Sequence, residues 1–120
     1  MTLNVVVVDD SAFMRSLLKN LITQAGGQIV GEAADGIEAV ERFDQLKPNL
    51  VFMDIMMPNK NGLEALRDII KMDGNAKVVM CTSVGQDKVV AEAVDAGASD
   101  FIVKPFKPDD IKAVIEKYTS

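Results

Sequence analysis

The chain alternates short, unbroken apolar runs with stretches in which apolar residues recur every three or four positions. Residues 4–8 hold four consecutive valines with no polar alternation, ended by Asp9 and Asp10. A strand with such a run must be covered on both faces, as strands of parallel sheets are. Met14, Leu17, Leu18, Leu21, Ile22 and Ala25 then mark one face of a helix, which Gly26-Gly27 ends. Residues 28–33 read as a second strand. Asp35 and Glu38 have the spacing of a capping pair and open a helix carrying Ile37, Val40, Phe43 and Leu46, with Pro48 beyond its end.

Residues 50–53 form a third buried strand that ends in Asp54. Asn61 and Glu64 cap a helix with Leu63, Leu66, Ile69 and Ile70 on its apolar face. Residues 77–81 read as a fourth strand leading into Thr82-Ser83, and Val89, Val90, Ala93 and Val94 as a helix closed by Gly97. Residues 101–103 are a short fifth strand. Pro108 suits the first turn of a last helix, and Asp109-Asp110 complement its positive end.

Strands and helices in strict alternation predict an α/β fold: a doubly wound five-stranded parallel sheet flanked by five helices, with right-handed crossovers. A length of 120 residues is that of one domain, here residues 1–120, large enough for a core without disulfides. Ligands of such sheets bind beyond the carboxyl ends of the strands. At those ends the chain places Asp9 and Asp10 after the first strand, Asp54 after the third, Thr82 and Ser83 after the fourth and Lys104 after the fifth.

Each of these residues has an ordinary reading: an acidic pair or a lone Asp in a turn, a hydroxyl capping a helix, a surface lysine. Their convergence on one rim outweighs those readings. Three carboxylates together repel one another, and a hard divalent cation is the natural compensation. Oxygen ligands with few protein contacts fit Mg²⁺, which keeps waters and accepts a phosphate oxygen. Lys104 adds a cation for a phosphate, and the Thr82 hydroxyl can donate to one of its oxygens. The group is built for phosphoryl transfer, in which a carboxylate can itself be the nucleophile.

Composition narrows the alternatives. The chain has no histidine, which removes histidine-dependent triads, the usual zinc ligand and any role as a histidine phosphodonor. A single cysteine, Cys81, excludes an intrachain disulfide framework and reads as a small buried hydrophobe. The net charge of −5 argues against nucleic acid as a partner. No signal-like segment or membrane-length apolar run is present, so a soluble cytoplasmic protein is expected.

Four stretches in order carry a family pattern: Val5-Val6-Val7-Val8-Asp9-Asp10-Ser11, Met53-Asp54-Ile55-Met56-Met57-Pro58, Cys81-Thr82-Ser83 and Val103-Lys104-Pro105-Phe106. Over essentially its whole length the chain resembles the receiver domains of two-component response regulators, and among them the stand-alone chemotaxis type. That resemblance implies a flavodoxin-like strand order 2-1-3-4-5. It implies that Asp54 is the phosphoacceptor, that Asp10 binds Mg²⁺ directly and that Asp9 acts largely through a metal-bound water. Met56 would offer its backbone carbonyl to the metal. Thr82 is the implied switch hydroxyl, Lys104 the partner of the phosphoryl oxygens, and the Lys104-Pro105 bond is implied to be cis.

Phe101 stands where the family places its aromatic switch residue; without a hydroxyl, it reads equally as a core-facing strand residue. Met56 and Val84 occupy positions that tune dephosphorylation in the family, and both are apolar. Ser11-Ala12-Phe13-Met14-Arg15 also resembles chemotaxis regulators, Met14 being expected in the core. The seven methionines are expected to fill core gaps, those beside Asp54 instead shaping the site's rim.

The implied partners are a histidine kinase as phosphodonor, a flagellar or archaellar motor protein or adaptor as output, and a phosphatase. The output face would be roughly residues 84–107. With no chain after Ser120 for an output domain, the expected product is a monomeric switch that acts by protein binding and is no enzyme beyond assisting its own phosphorylation and dephosphorylation. A phosphorelay or sporulation-type receiver is the alternative. A flavodoxin-like cofactor binder is disfavoured because Asp9-Asp10 would repel its phosphate and no tryptophan is present to stack on a flavin. A phosphohydrolase with an aspartyl intermediate would need an acid two residues after Asp54, where Met56 stands. A non-switching pseudo-receiver is disfavoured by the intact acidic trio, Thr82 and Lys104.

Overall fold

Four buried valines in succession can be satisfied only by a strand between two layers, and that is where the computed structural model places them. It describes residues 2–119. Five strands, β1 (Asn4–Val8), β2 (Gln28–Ala33), β3 (Leu50–Asp54), β4 (Val78–Thr82) and β5 (Asp100–Val103), alternate with five helices, α1 (Ala12–Gln24), α2 (Gly36–Leu46), α3 (Gly62–Met72), α4 (Asp87–Ala96) and α5 (Pro108–Thr119). All neighbouring strands are parallel, in the order β2-β1-β3-β4-β5.

The two core layers divide the strand residues by parity. Val5, Val7, Leu50, Phe52, Val79, Cys81 and Ile102 pack with Leu18 and Ile22 of α1 and Ile111 and Ile115 of α5. Val6, Val8, Val51, Met53, Val78 and Met80 face the other way, against Phe43 of α2, Leu66 and Ile69 of α3 and Ala93 of α4. Burying one such side chain contributes about 1.5–3 kcal/mol, which is why, apart from Asn4 at the start of β1, the three central strands carry no polar residue until their carboxyl ends.

The helix boundaries follow local chemistry. Ser11 caps α1, its Oγ accepting from the Met14 N–H at 3.2 Å. Asp35 caps α2 through the Glu38 N–H at 2.9 Å, and Asn61 and Glu64 form a reciprocal capping box on α3. Lys47, at φ 46°, ends α2 before Pro48. The Lys104-Pro105 peptide bond is cis.

Some expectations shift. β4 runs one residue later than the expected 77–81, so Thr82 is its last paired residue, opposite Val103. β5 begins one residue earlier, at Asp100. The apolar spacing predicts Ile37, Leu46 and Val94 on buried helix faces, but they are 50%, 40% and 55% exposed. Their helices lie towards the sheet's edges, where the outer part of an apolar stripe has less strand beneath it. Neither Thr82 nor Ser83 caps α4; its N-cap is Gln86, whose Oε1 instead accepts from the Ser83 N–H at 2.6 Å.

Candidate functional site

The carboxyl ends of β1 and β3 are adjacent because these strands pair, and β4 brings the β5 end alongside. Asp54 closes β3 opposite Cys81 of β4, and Asp9 and Asp10 follow β1. Carboxylate oxygens from Asp9, Asp10 and Asp54 all lie within 4.8 Å of one another. Lys104, just past β5, reaches across with its Nζ 3.0 Å from Asp9 Oδ2 and 3.3 Å from Asp54 Oδ1. Asp9 and Asp54 are buried and Asp10 is exposed. Such a set, two buried acids and one open to solvent with oxygen donors only, has the chemistry of a hard-cation site.

The electrostatics are those of crowded like charges. Burial pushes the Asp54 carboxyl above its ordinary range; the Asp9 charge adds to this and Lys104 opposes it. Burial alone would lower the Lys104 ammonium, but its hydrogen bond to Asp9 and the fields of Asp54 and Asp9 outweigh that and raise it. The Cys81 thiol behind the site is pushed up, chiefly by its complete burial.

The local hydrogen bonds explain why the acids are not consumed as caps. Ser11 takes the capping role, while Asp9 Oδ1 accepts from the Ser11 N–H at 2.9 Å and its Oδ2 meets Lys104. The loop after Asp54 is tied down by bonds from the Gly62 N–H to the Ile55 carbonyl at 2.8 Å and from the Lys60 N–H to the Pro58 carbonyl at 2.7 Å. It is also stitched to the start of α2, Asn59 Nδ2 donating to Asp35 Oδ2 at 2.7 Å and the Gly36 N–H to the Lys60 carbonyl at 2.8 Å. Gly36 has to be glycine here, since a Cβ would stand 2.4 Å from that carbonyl oxygen.

Thr82 is buried at the end of β4, its carbonyl accepting from the Lys104 N–H at 2.7 Å. Met56 lies in the loop two residues beyond Asp54 with its side chain in solvent, and Val84 is almost fully exposed. Phe101 is half-buried against the layer that contains Met80 and Ala93, so its ring sits on the core. Met14 packs against the α1–α5 layer, while Phe13 is exposed.

Two residues in direct support of the site carry little signal in the sequence. Gly62 lies so close to Asp54 that any side chain would meet its carbonyl oxygen. Arg15 donates to the Asp9 carbonyl at 2.6 Å. The one available hint for Arg15 is a cation near the positive end of a helix, where acids are favoured.

Residues 5–116 match the response regulator receiver domain family. The chain belongs to that family. This receiver is 51% identical over 113 residues to the chemotaxis protein CheY of Thermotoga maritima, covering 94% of each chain. It is 45% identical over 115 residues to the chemotaxis protein CheY of Listeria monocytogenes, covering 96% of this chain and 97% of that one. Among solved structures, the receiver resembles a chain of the CheX–CheY–BeF₃–Mg²⁺ complex from Borrelia burgdorferi, with a TM-score of 0.91 and 34% identity over 98% of this chain and 90% of that one. Among the described residues of the receiver, no helix is long and apolar enough to cross a membrane.

Proposed function

We propose that this receiver, a single domain over residues 1–120, takes a phosphoryl group from the phosphohistidine of a partner kinase onto Asp54. The observation that carries the proposal is the meeting of the Asp9, Asp10 and Asp54 carboxylates with Lys104 bonded to two of them. Asp10 and Asp54, with the Met56 carbonyl, would hold Mg²⁺, and Asp9, whose oxygens already serve the Ser11 N–H and Lys104, would act from behind them. Mg²⁺, when bound, supplies the positive charge that lets two acids and a phosphoryl group share the site. A BeF₃–Mg²⁺ complex of a structural relative supports this assignment, since that fluoride is a phosphoryl mimic.

Asp54 acts as the nucleophile, and its burial among carboxylates holds it ready to shed charge density onto phosphorus. Lys104 moves its hydrogen bonds from the carboxylates to the phosphoryl oxygens. Thr82, whose carbonyl already accepts from the Lys104 N–H, turns its hydroxyl to the same group. Pulling Thr82 and Lys104 inward biases the α4–β5 side, residues 84–107, with Phe101 as the core ring that can follow. The output is binding to a motility partner, a flagellar or archaellar motor protein or adaptor, supported by the chemotaxis relatives. A phosphatase completes the cycle, which runs in the cytoplasm; the protein's only catalysis is on its own phosphorylation and loss of phosphate.

Incubation with phosphoramidate or acetyl phosphate plus Mg²⁺, followed by intact mass, is expected to give one phosphoryl adduct that Asp54→Asn loses. No adduct with any divalent metal would overturn the proposal in favour of a non-switching interaction module.

The lifetime of the adduct is a second expected result. Met56 and Val84 present only apolar side chains to solvent at the rim, and neither can orient an attacking water. Exchanging Met56 for Asn and Val84 for Glu together is expected to accelerate phosphate loss about tenfold, less than the roughly 10²–10⁴-fold of a full general acid–base group because these side chains only orient the water. The decay of the phosphorylated species on Phos-tag gels measures this, and an unchanged rate would discard the explanation.

A further inference from the structure

Behind the acidic cluster lies a chain of charged contacts that the proposed reaction does not use. Arg15 on α1 has a side chain only 19% exposed, although arginine has the reach to stay in water. Its Nη1 donates to the Asp9 carbonyl at 2.6 Å and its Nε to Glu32 Oε1 at 3.1 Å. Lys19, one turn further along α1, holds the other Glu32 oxygen at 2.8 Å. A carboxylate of β2 thus fixes a guanidinium of α1, which fixes a carbonyl at the end of β1.

That carbonyl belongs to the Asp9–Asp10 peptide unit. The preceding unit is fixed as well, since the Asp9 N–H donates to the Ala33 carbonyl at 3.1 Å. Asp10 is exposed, and among the described residues no hydrogen bond holds its carboxylate. What aims that carboxylate is therefore the backbone that leads into it. A planar guanidinium gripping a carbonyl while braced by a carboxylate sets a direction that a flexible ammonium would not.

The geometry points to Arg15 as a positioning residue for the divalent cation: by clamping the Asp9–Asp10 peptide it directs Asp10 into the site, with Glu32 as its brace. This rests on the Mg²⁺ reading of the acidic cluster. Field and geometry predict opposite outcomes here. A guanidinium repels a nearby cation, so if its charge were all that mattered, removing it would tighten Mg²⁺ binding. If it positions Asp10, removing it weakens binding.

The test is titration of the full chain with Mg²⁺, followed by the amide chemical shifts of Asp10 and Asp54, for the native protein, Arg15→Gln and Arg15→Lys. Metal-free melting temperatures are measured alongside. Both variants are expected to bind Mg²⁺ about tenfold more weakly, as for loss of an outer partner of a metal site. Glu32→Gln, which keeps an acceptor for Nε, is expected to retain near-native affinity. Arg15→Gln binding as tightly as the native chain or tighter would overturn the inference. So would a fall in melting temperature with affinity unchanged, which would reduce Arg15 to a packing role. If Arg15→Gln does not fold, Arg15→Lys alone decides between these outcomes. Failure of the native chain to bind Mg²⁺ would overturn the metal site itself and this inference with it.

Discussion

Gly62→Ala is expected to melt at least about 10 °C below the native protein, corresponding to a loss of about 3 kcal/mol in a chain of this size. A Cβ at this position would stand 2.0 Å from the Asp54 carbonyl oxygen, 2.9 Å from its carbonyl carbon and 3.0 Å from the Ile55 Cα. All three are backbone atoms, so no side chain can swing away to make room. The same backbone is pinned by the Gly62 N–H bond to the Ile55 carbonyl, and Asp54 is the last paired residue of β3. Relief has to come from moving the start of α3 or the end of β3, and the latter carries the proposed phosphoacceptor. Gly74→Ala is the control, since nothing lies within 4 Å of a Cβ there. Thermal unfolding by circular dichroism reads both; a Gly62→Ala protein that melts with the native one would contradict the packing described.

Lys104→Met is expected to remove about 3 kcal/mol of stability at neutral pH and much less in acid, because it strands two buried carboxylates. Asp9 and Asp54 both lose a bonded cation, with side chains 4% and 11% exposed. The direction with pH follows from the shifts. Asp54 already holds its proton more tightly in the fold than unfolded, by burial first and the Asp9 charge second. Its ionised form is thus a penalty absent below the ordinary carboxylate range and complete above its raised pKa. Lys104 is what moderates that penalty. Its own pKa is raised in the fold, so its contribution is fully present across the neutral range and is lost only as pH climbs through the lysine range. Removing it widens the gap between acid and neutral stability. Urea denaturation at pH 4.5 and pH 7.5 measures the gap, and a loss equal at both would sink the argument. Adding Asp54→Asn to Lys104→Met is expected to restore much of the neutral loss, since one of the two stranded charges disappears.

The parts of this protein that are legible in its sequence are those fixed by burial on both faces of a sheet. Residues 4–8 and 50–53 carry almost nothing but large apolar side chains, so the first polar residue after each run, Asp9 and Asp54, marks where the strand leaves the core. Lys104 is legible as the first polar residue after the short apolar run of residues 101–103, although that edge strand is only partly buried. The order of the strands rests on the family pattern, because alternation alone permits several. Thr82 was less legible, since a small hydroxyl can end a strand or begin a loop without changing the apolar run before it. The exposure of Ile37 and Val94 depends on how far each helix overhangs the sheet, which periodicity does not contain. Arg15 and Gly62 act on main-chain carbonyls, and a contact with a backbone oxygen leaves no mark on the identity of the residue that supplies it.

Every pair of neighbouring strands in this sheet is parallel, so no hairpin can assemble part of the rim by itself. Asp9, Asp54 and Lys104 come from the first, third and fifth strands, and they meet only when the central strand β3 has accepted β1 on one side and β4 on the other. A chain that has collapsed without completing its sheet presents three unconnected charges and has nothing with which to receive a phosphoryl group. In the proposed cycle the signal is therefore written only on finished molecules. Misfolded or nascent copies stay silent, and a cell can tolerate a pool of them without false signals.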